Sequence, residues 1–247
     1  MLIAEITALT DPSRTNHATR LAEVQARIET AAVQAGRPVA DVQLLAVSKT
    51  FPLSAVDAVA ACGQKAFGEN YAQEGVEKAA ARPQLTWHFI GPIQSNKTRG
   101  IAEHFAWVHT IDRLKIAERL SAQRPATLPP LQVCVQVNIS GEASKSGCAP
   151  QDTLALAQAV AALPNLQLRG LMAIPEATDD TSLQHRHFAA LRDLQATLNQ
   201  QGLCLNTLSM GMSDDLEAAI SEGATLVRVG SAIFGKRSYP DLPGVSL

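Results

Sequence analysis

Lys49 ends the apolar run 42–48 and stands just before Phe51-Pro52, where the chain must turn. A short apolar run bounded by a turn signal reads as a buried strand. Burying an unpaired ammonium is costly, so burial shifts a lysine toward its neutral amine. A neutral amine is a nucleophile that condenses with an aldehyde to give a Schiff base. On position alone a second reading stands beside this one, in which the side chain snorkels from the strand end into water.

Two later turns have the chemistry of an anion site. In Leu208-Ser209-Met210-Gly211-Met212-Ser213-Asp214-Asp215, Gly211 permits a close turn and Ser213 is a good N-cap for a helix starting near Asp214. In Val227-Arg228-Val229-Gly230-Ser231, a strand ends at Gly230 and Ser231 opens a helix. Backbone N–H groups at a helix start attract phosphate, although a plain helix cap has the same appearance. Arg228 lies inside the last strand, and a buried guanidinium needs a partner. That partner is either a carboxylate, Glu69 or Glu217, or a ligand atom. An arginine facing a pyridine nitrogen would keep that nitrogen unprotonated.

The elements that must position these residues alternate along the chain. A helix is expected over 16–35, with Leu21, Val24, Ile28 and Ala31 as its apolar stripe and Gly36 and Pro38 as its stop. Strands are expected at 42–48, 65–70, 85–90, 107–111, 131–139, 166–174, 207–210 and 225–229, each followed by a helical stretch. Eight such βα units argue for a closed parallel (β/α)₈ TIM barrel preceded by an N-terminal helix. An open doubly wound sheet is the alternative, weakened by the lack of G-x-G-x-x-G after the first strand. The reading is a flexible lead-in over 1–13 and a single domain over 14–247. Barrels place their chemistry at the carboxyl ends of the strands. The polar residues there are Lys49, Asn70, His88, Asn138, Ser209 and Arg228.

The composition narrows the function classes. With 247 residues and 46% hydrophobic content, the chain can bury a core without disulfides. A net charge of -2 gives no electrostatic footprint for nucleic acid. No apolar stretch is long enough to span a membrane, and the amino terminus lacks a secretory leader. The cytoplasm is therefore the expected location. Cys62, Cys134, Cys148 and Cys204 match no zinc spacing and are expected to be small buried hydrophobes. No metal site is expected: His185 and His187 are two apart on a helix and do not share a face. The segment 91–98 imitates a nucleotide-phosphate loop, but Asn96 occupies the required second glycine.

An aldehyde for Lys49, a phosphate for the two turns and a ring nitrogen for Arg228 together fit pyridoxal 5'-phosphate. The segments Ala46-Val47-Ser48-Lys49-Thr50, Phe67-Gly68-Glu69-Asn70-Tyr71, Trp87-His88-Phe89-Ile90-Gly91, Gln94-Ser95-Asn96-Lys97, 208–214 and 227–230 carry a resemblance over about residues 16–237. They resemble the YggS/PROSC family of pyridoxal phosphate homeostasis proteins, whose barrel is similar to the amino-terminal domain of alanine racemase. The resemblance implies a Schiff base of the cofactor on Lys49. It implies phosphate contacts from Ser209, Gly211, Gly230 and Ser231, and Arg228 facing the ring nitrogen. Asn70 and His88 would line the mouth, Val47 and Met210 complete the cofactor-binding set, and Lys145 is a secondary, weaker contact.

Two function classes follow. A racemase needs acid/base groups on both faces of the substrate carbon. The related racemases take a tyrosine from a second domain, for which this chain has no room after Arg237. Tyr71 and Tyr239 are poor replacements, and an unprotonated ring nitrogen is a weak electron sink. The other class is a carrier that holds the cofactor reversibly, limits the free aldehyde and passes it to apo-enzymes. The carrier is the favoured reading, as a monomer without a catalytic residue.

Overall fold

A computed structural model describes residues 12–142 and 146–235. Lys145 therefore lies outside the described residues, as do residues 1–11. Eight parallel strands close into a barrel in sequence order. They are β1 (Gln43–Val47), β2 (Ala66–Glu69), β3 (Thr86–Phe89), β4 (Trp107–Ile111), β5 (Leu131–Gln136), β6 (Leu166–Met172), β7 (Thr207–Ser209) and β8 (Leu226–Val229). The helices include α1 (Pro12–Gln34), α2 (Leu53–Ala60), α3 (Ala72–Ala81), α4 (Thr98–His104) and α5 (Leu114–Gln123). They continue with α6 (Thr153–Ala161), α7 (Thr181–Gln200), α8 (Leu216–Ser221) and α9 (Ser231–Phe234).

Side-chain alternation sorts each strand between two cores. Leu44 and Ala46 of β1 and Val227 and Val229 of β8 join the large cluster beneath the helices. Leu45, Val47, Ala66, Ile90 and Leu226 form a separate small cluster inside the barrel. A Cβ on Gly68 would stand 3.1 Å from both Leu45 and Ile90, so the interior is filled there. β1 and β8 pair with Leu45 opposite Arg228, which closes the barrel and brings the Lys49 strand beside the arginine strand.

Helix α1 stands outside the repeating units and packs on α2, α8 and α9. Its expected stripe, Leu21, Val24, Ile28 and Ala31, is buried. It is described from Pro12, two residues inside the expected lead-in. It ends at Gln34, and Gly36 supplies the expected stop: its φ of +67° admits the reversing bonds from Gly36 N–H to Val33 and from Arg37 N–H to Ala32.

Two expectations need correction. The helix after β7 starts at Leu216 rather than near Asp214, and Ser213 is not its cap. Asp215 Oδ1 accepts the Met212 N–H at 2.6 Å, which holds 212–215 as a closed loop ahead of the helix. The cysteines are not uniformly buried: Cys134 is buried, Cys62 and Cys148 are half-buried, and Cys204 is exposed. Apolar neighbours in sequence did not carry Cys204 inside, because it lies in the connection after α7. No helix among the described residues is long and apolar enough to cross a membrane.

Candidate functional site

A cavity of about 490 Å³ opens at the carboxyl ends of the strands. Six of the expected residues line it: Val47, Lys49, Asn70, Arg228, Gly230 and Ser231. Phe51, Ile90, Ile174, Met212, Ser213 and Asp214 complete most of the wall and were not named as site residues. Ile90 and Ile174 follow β3 and β6, so strand-end position was the available signal, although both side chains are apolar. A larger groove of about 640 Å³, beside Gln43 and Thr86, lies at the amino-terminal ends of the strands. Barrels keep that end for stability, so the mouth cavity is the functional candidate.

Lys49 is half-buried, in the turn that follows β1. The Ser48 carbonyl accepts the Phe51 N–H at 3.1 Å and closes that turn. Thr50 takes a φ of +67°, a left-handed conformation that is strained for a β-branched residue. The Glu74 carboxylate compensates by accepting the Thr50 N–H at 2.7 Å.

Among the described residues, Arg228 has no hydrogen-bonded carboxylate partner. Glu69 pairs with Lys78, and Glu217 pairs with Arg27. The guanidinium instead donates from Nη1 to the Ser209 carbonyl at 2.6 Å and the Ser209 hydroxyl at 2.7 Å. Nη2 donates to the Ala173 carbonyl at 2.9 Å. Three of its five N–H groups are thereby committed among the described residues, and Arg228 also lines the cavity. Burial pulls its pKa down to about 10, against the opposing pull of Asp215. It therefore stays a cation and a donor at neutral pH.

Below Arg228 the barrel interior is polar. Ser209 Oγ lies 2.8 Å from His109 Nδ1, and His109 Nε2 lies 2.9 Å from His88 Nδ1. The His88 ring stacks on Trp107, with centroids 5.4 Å apart. Burial lowers the His88 pKa to about 3. Burial also holds His109 well below its ordinary value, helped by His88 and Arg228. Both rings are neutral at pH 7.

These placements separate the expected residues. His88, expected at the mouth, sits fully buried inside the barrel, because its ring is held by Trp107 and His109. Ser209 and Met210 are fully buried behind the cavity wall. Gly211 supplies the turn: its φ is +92°, and its carbonyl accepts the Arg228 N–H at 2.9 Å. Asn138 donates to the Glu142 carbonyl and does not line the cavity.

Gly230 does line it, and a Cβ there would meet the Val47 carbonyl at 3.2 Å. Glycine thus lets the end of β8 lie against the end of β1. Ser231 opens α9, so its N–H is outside the helix's own bonding. Opposite, Arg27 of α1 donates to the Ser213 carbonyl at 2.9 Å and grips Glu217, which fixes the other loop. Among the described residues, Asn70 Oδ1 is buried without a hydrogen-bond partner, which leaves it able to bond an occupant of the cavity it lines. An amine, an arginine, an orphaned amide and two small-residue turns fit a cofactor with an aldehyde, a heteroaromatic ring and a phosphate.

The sequence profile of the alanine racemase N-terminal domain family matches residues 19–238. A pyridoxal phosphate homeostasis protein of Pseudomonas aeruginosa is 66% identical over 224 residues, covering 90% of this chain and 96% of that protein. The chain belongs to the pyridoxal phosphate homeostasis protein family. A member from Escherichia coli K12 is 52% identical over 224 residues, covering 89% of this chain and 96% of its own. Among solved structures, PipY of Synechococcus elongatus with PLP bound matches at a TM-score of 0.77 and 38% identity, over 89% of this chain and 100% of that one. Alanine racemase of Corynebacterium glutamicum matches at a TM-score of 0.70 and 18% identity. That second likeness shows a shared barrel. This chain spans 91% of its own length in that match but 62% of the racemase.

Proposed function

We propose that this family member binds pyridoxal 5'-phosphate in the mouth cavity, held covalently and reversibly through Lys49 Nζ. It acts as a carrier in intracellular cofactor homeostasis, limiting the free aldehyde and delivering the cofactor to apo-enzymes. The observation that carries this reading is that Lys49, Arg228 and the orphaned Asn70 amide line one cavity with Gly230 and Ser231. The bound cofactor supplies an aldehyde that condenses with an amine and is released by hydrolysis. Lys49 supplies the amine, Arg228 a permanent donor, and the Ser213 and Gly230-Ser231 turns the main-chain donors for an anionic tail.

The carrier reading is favoured over an amino-acid racemase by the lining of the cavity. Among the described residues, no tyrosine or histidine lines it opposite Lys49. Tyr71, the N-cap residue of α3, is exposed. Location in the cytoplasm and a monomeric state belong to the same proposal. The test is an absorbance spectrum of the loaded protein before and after borohydride, with the modified lysine mapped by mass spectrometry. A reduced adduct at Lys49 is expected, and a protein that takes up no cofactor would sink the reading. A racemization assay on loaded protein is the companion test: robust turnover of a common amino acid would replace the carrier by an enzyme.

A further inference from the structure

The residue before Lys49 is bonded to Lys78 directly, and the residue after it is bonded to Glu74, which Lys78 also holds. Lys78, on α3, is buried, and its Nζ lies 2.8 Å from the Ser48 carbonyl, 2.8 Å from Glu69 Oε1 and 2.7 Å from Glu74 Oε1. Ser48 Oγ donates to the same Glu69 oxygen at 2.6 Å. Glu74 Oε1 also accepts the Thr50 N–H at 2.7 Å. So the residue before Lys49 is gripped by its carbonyl and its hydroxyl, and the residue after it by its N–H. The strained φ of Thr50 is held by the last of these bonds.

We propose that Lys78 is a positioning residue for Lys49: it fixes the root of the Lys49 side chain so that Nζ meets the cofactor aldehyde in a reactive geometry. The inference rests on the assignment of Lys49 as the tether. A flexible turn would spread Nζ over many positions, and even a 1 Å misplacement costs on the order of 10²-fold in rate. The same arrangement explains why Lys78 does not compete. An ammonium has three N–H groups, and Lys78 commits each to an oxygen. Its Nζ is engaged by these oxygens, and Lys78 does not line the mouth cavity. In the step it serves, Lys49 Nζ forms the new C=N bond, the aldehyde oxygen leaves as water, and no oxidant or reductant is involved.

The bland reading of the cluster is a buried ion pair that only joins α3 to β1 and β2. Two ligands separate the readings: pyridoxal 5'-phosphate, and 4-deoxypyridoxine 5'-phosphate, which keeps the ring and phosphate but has no aldehyde. Lys78→Met is expected to slow condensation, followed by stopped-flow absorbance, on the order of 10-fold or more. The dissociation constant for the deoxy analogue should stay within about 2-fold of the parent value, since that ligand does not use the tether. Should Lys78→Met fail to fold, Glu74→Ala and Glu74→Gln provide the same comparison. The alanine variant frees the Thr50 N–H and should slow condensation, and the glutamine variant keeps an oxygen for it and should restore most of the rate. Equal loss of both ligands, or an unchanged condensation rate in Lys78→Met and Glu74→Ala, overturns the positioning role. Absence of a borohydride-fixed adduct at Lys49 in the parent protein overturns the tether assignment itself, and is read before any variant is compared.

Discussion

The Ser209 hydroxyl oxygen is shared between Arg228 Nη1 at 2.7 Å and His109 Nδ1 at 2.8 Å. A guanidinium only donates, so the serine oxygen accepts from Arg228. A serine hydroxyl has one donor and two acceptor positions, so it bonds Arg228 and His109 together in either tautomer of the histidine. His109 continues the chain to His88, whose Nε2 is buried without a partner among the described residues. The chain in turn holds the guanidinium toward the cavity.

Ser209→Ala is therefore expected to destabilise the fold by about 1–3 kcal/mol, the usual consequence of stranding buried donors and acceptors. Chemical denaturation reads this directly. The variant should also shift the absorbance of bound cofactor, because Arg228 loses one of the groups that orient it. A stability within experimental error of the parent would mean that the serine contributes no bonding to the arginine.

The two buried histidines make stability depend on pH. Both have folded pKa values below the unfolded value of 6.5, His88 at about 3 and His109 well below the ordinary range. Between the folded and unfolded values the unfolded chain binds more protons, so stability rises with pH. The contribution is complete above pH 6.5 and is lost as pH falls toward 3. Each histidine contributes a slope of about 1.4 kcal/mol per pH unit in that window. Denaturation curves from pH 7 to pH 4 should show it, and His88→Gln should flatten it. An equal slope in that variant would contradict the assignment.

Lys49→Ala should abolish the imine absorbance and the borohydride-fixed adduct while leaving the fold intact. The side chain is half-buried and belongs to a turn, so a stability change within about 1 kcal/mol is expected. A full-strength adduct in this variant, mapped to Lys145 or elsewhere, would move the tether.

Arg27 offers a test of the loop after β7. It donates to the Ser213 carbonyl and pairs with Glu217 from a partly exposed position, so its contribution is that of a surface pair, up to about 1 kcal/mol. Arg27→Ala should weaken binding of the deoxy analogue by about 2- to 5-fold, equivalent to that energy. Mapping after borohydride should still find Lys49. Unchanged affinity would show that the loop keeps its shape without α1.

The parts of this site that the sequence made legible share one property: they lie at strand ends. Lys49, Asn70, Arg228 and Gly230 were placed by the alternation of strands and helices, and the barrel brings them together. The interior chain was not legible in the same way. His109 lies within β4 and points inward at the level of His88. Period-two alternation from Trp107 would have put it there. Lys78 was hidden for a different reason. Glu74 and Lys78 are spaced four apart on α3, which reads as an exposed helix pair. Only the packing of α3 against the end of β2 turns that pair inward, and sequence spacing holds no record of that packing. The partnership of Arg228 with backbone carbonyls was equally hidden, because the Ser209 and Ala173 carbonyls exist at every position of the chain.

The turn at Gly211 yields a prediction with an internal control. Gly211 and Gly63 both have positive φ, +92° and +98°, so alanine is strained at either. At Gly63 nothing stands within 4 Å of a new Cβ. Gly63→Ala should therefore cost only the backbone term, about 1–2 kcal/mol. At Gly211 the new Cβ would lie 2.6 Å from Ala219 Cβ, on a helix already packed against the barrel. Overpacking adds about 1–3 kcal/mol to the same backbone term. Gly211→Ala must also push away the loop whose carbonyl receives the Arg228 N–H. Denaturation should rank Gly211→Ala below Gly63→Ala, and cofactor affinity should fall only in the former. Equal stabilities would mean that Ala219 yields without cost, and that the close turn is not what seats the β7 loop at the cavity.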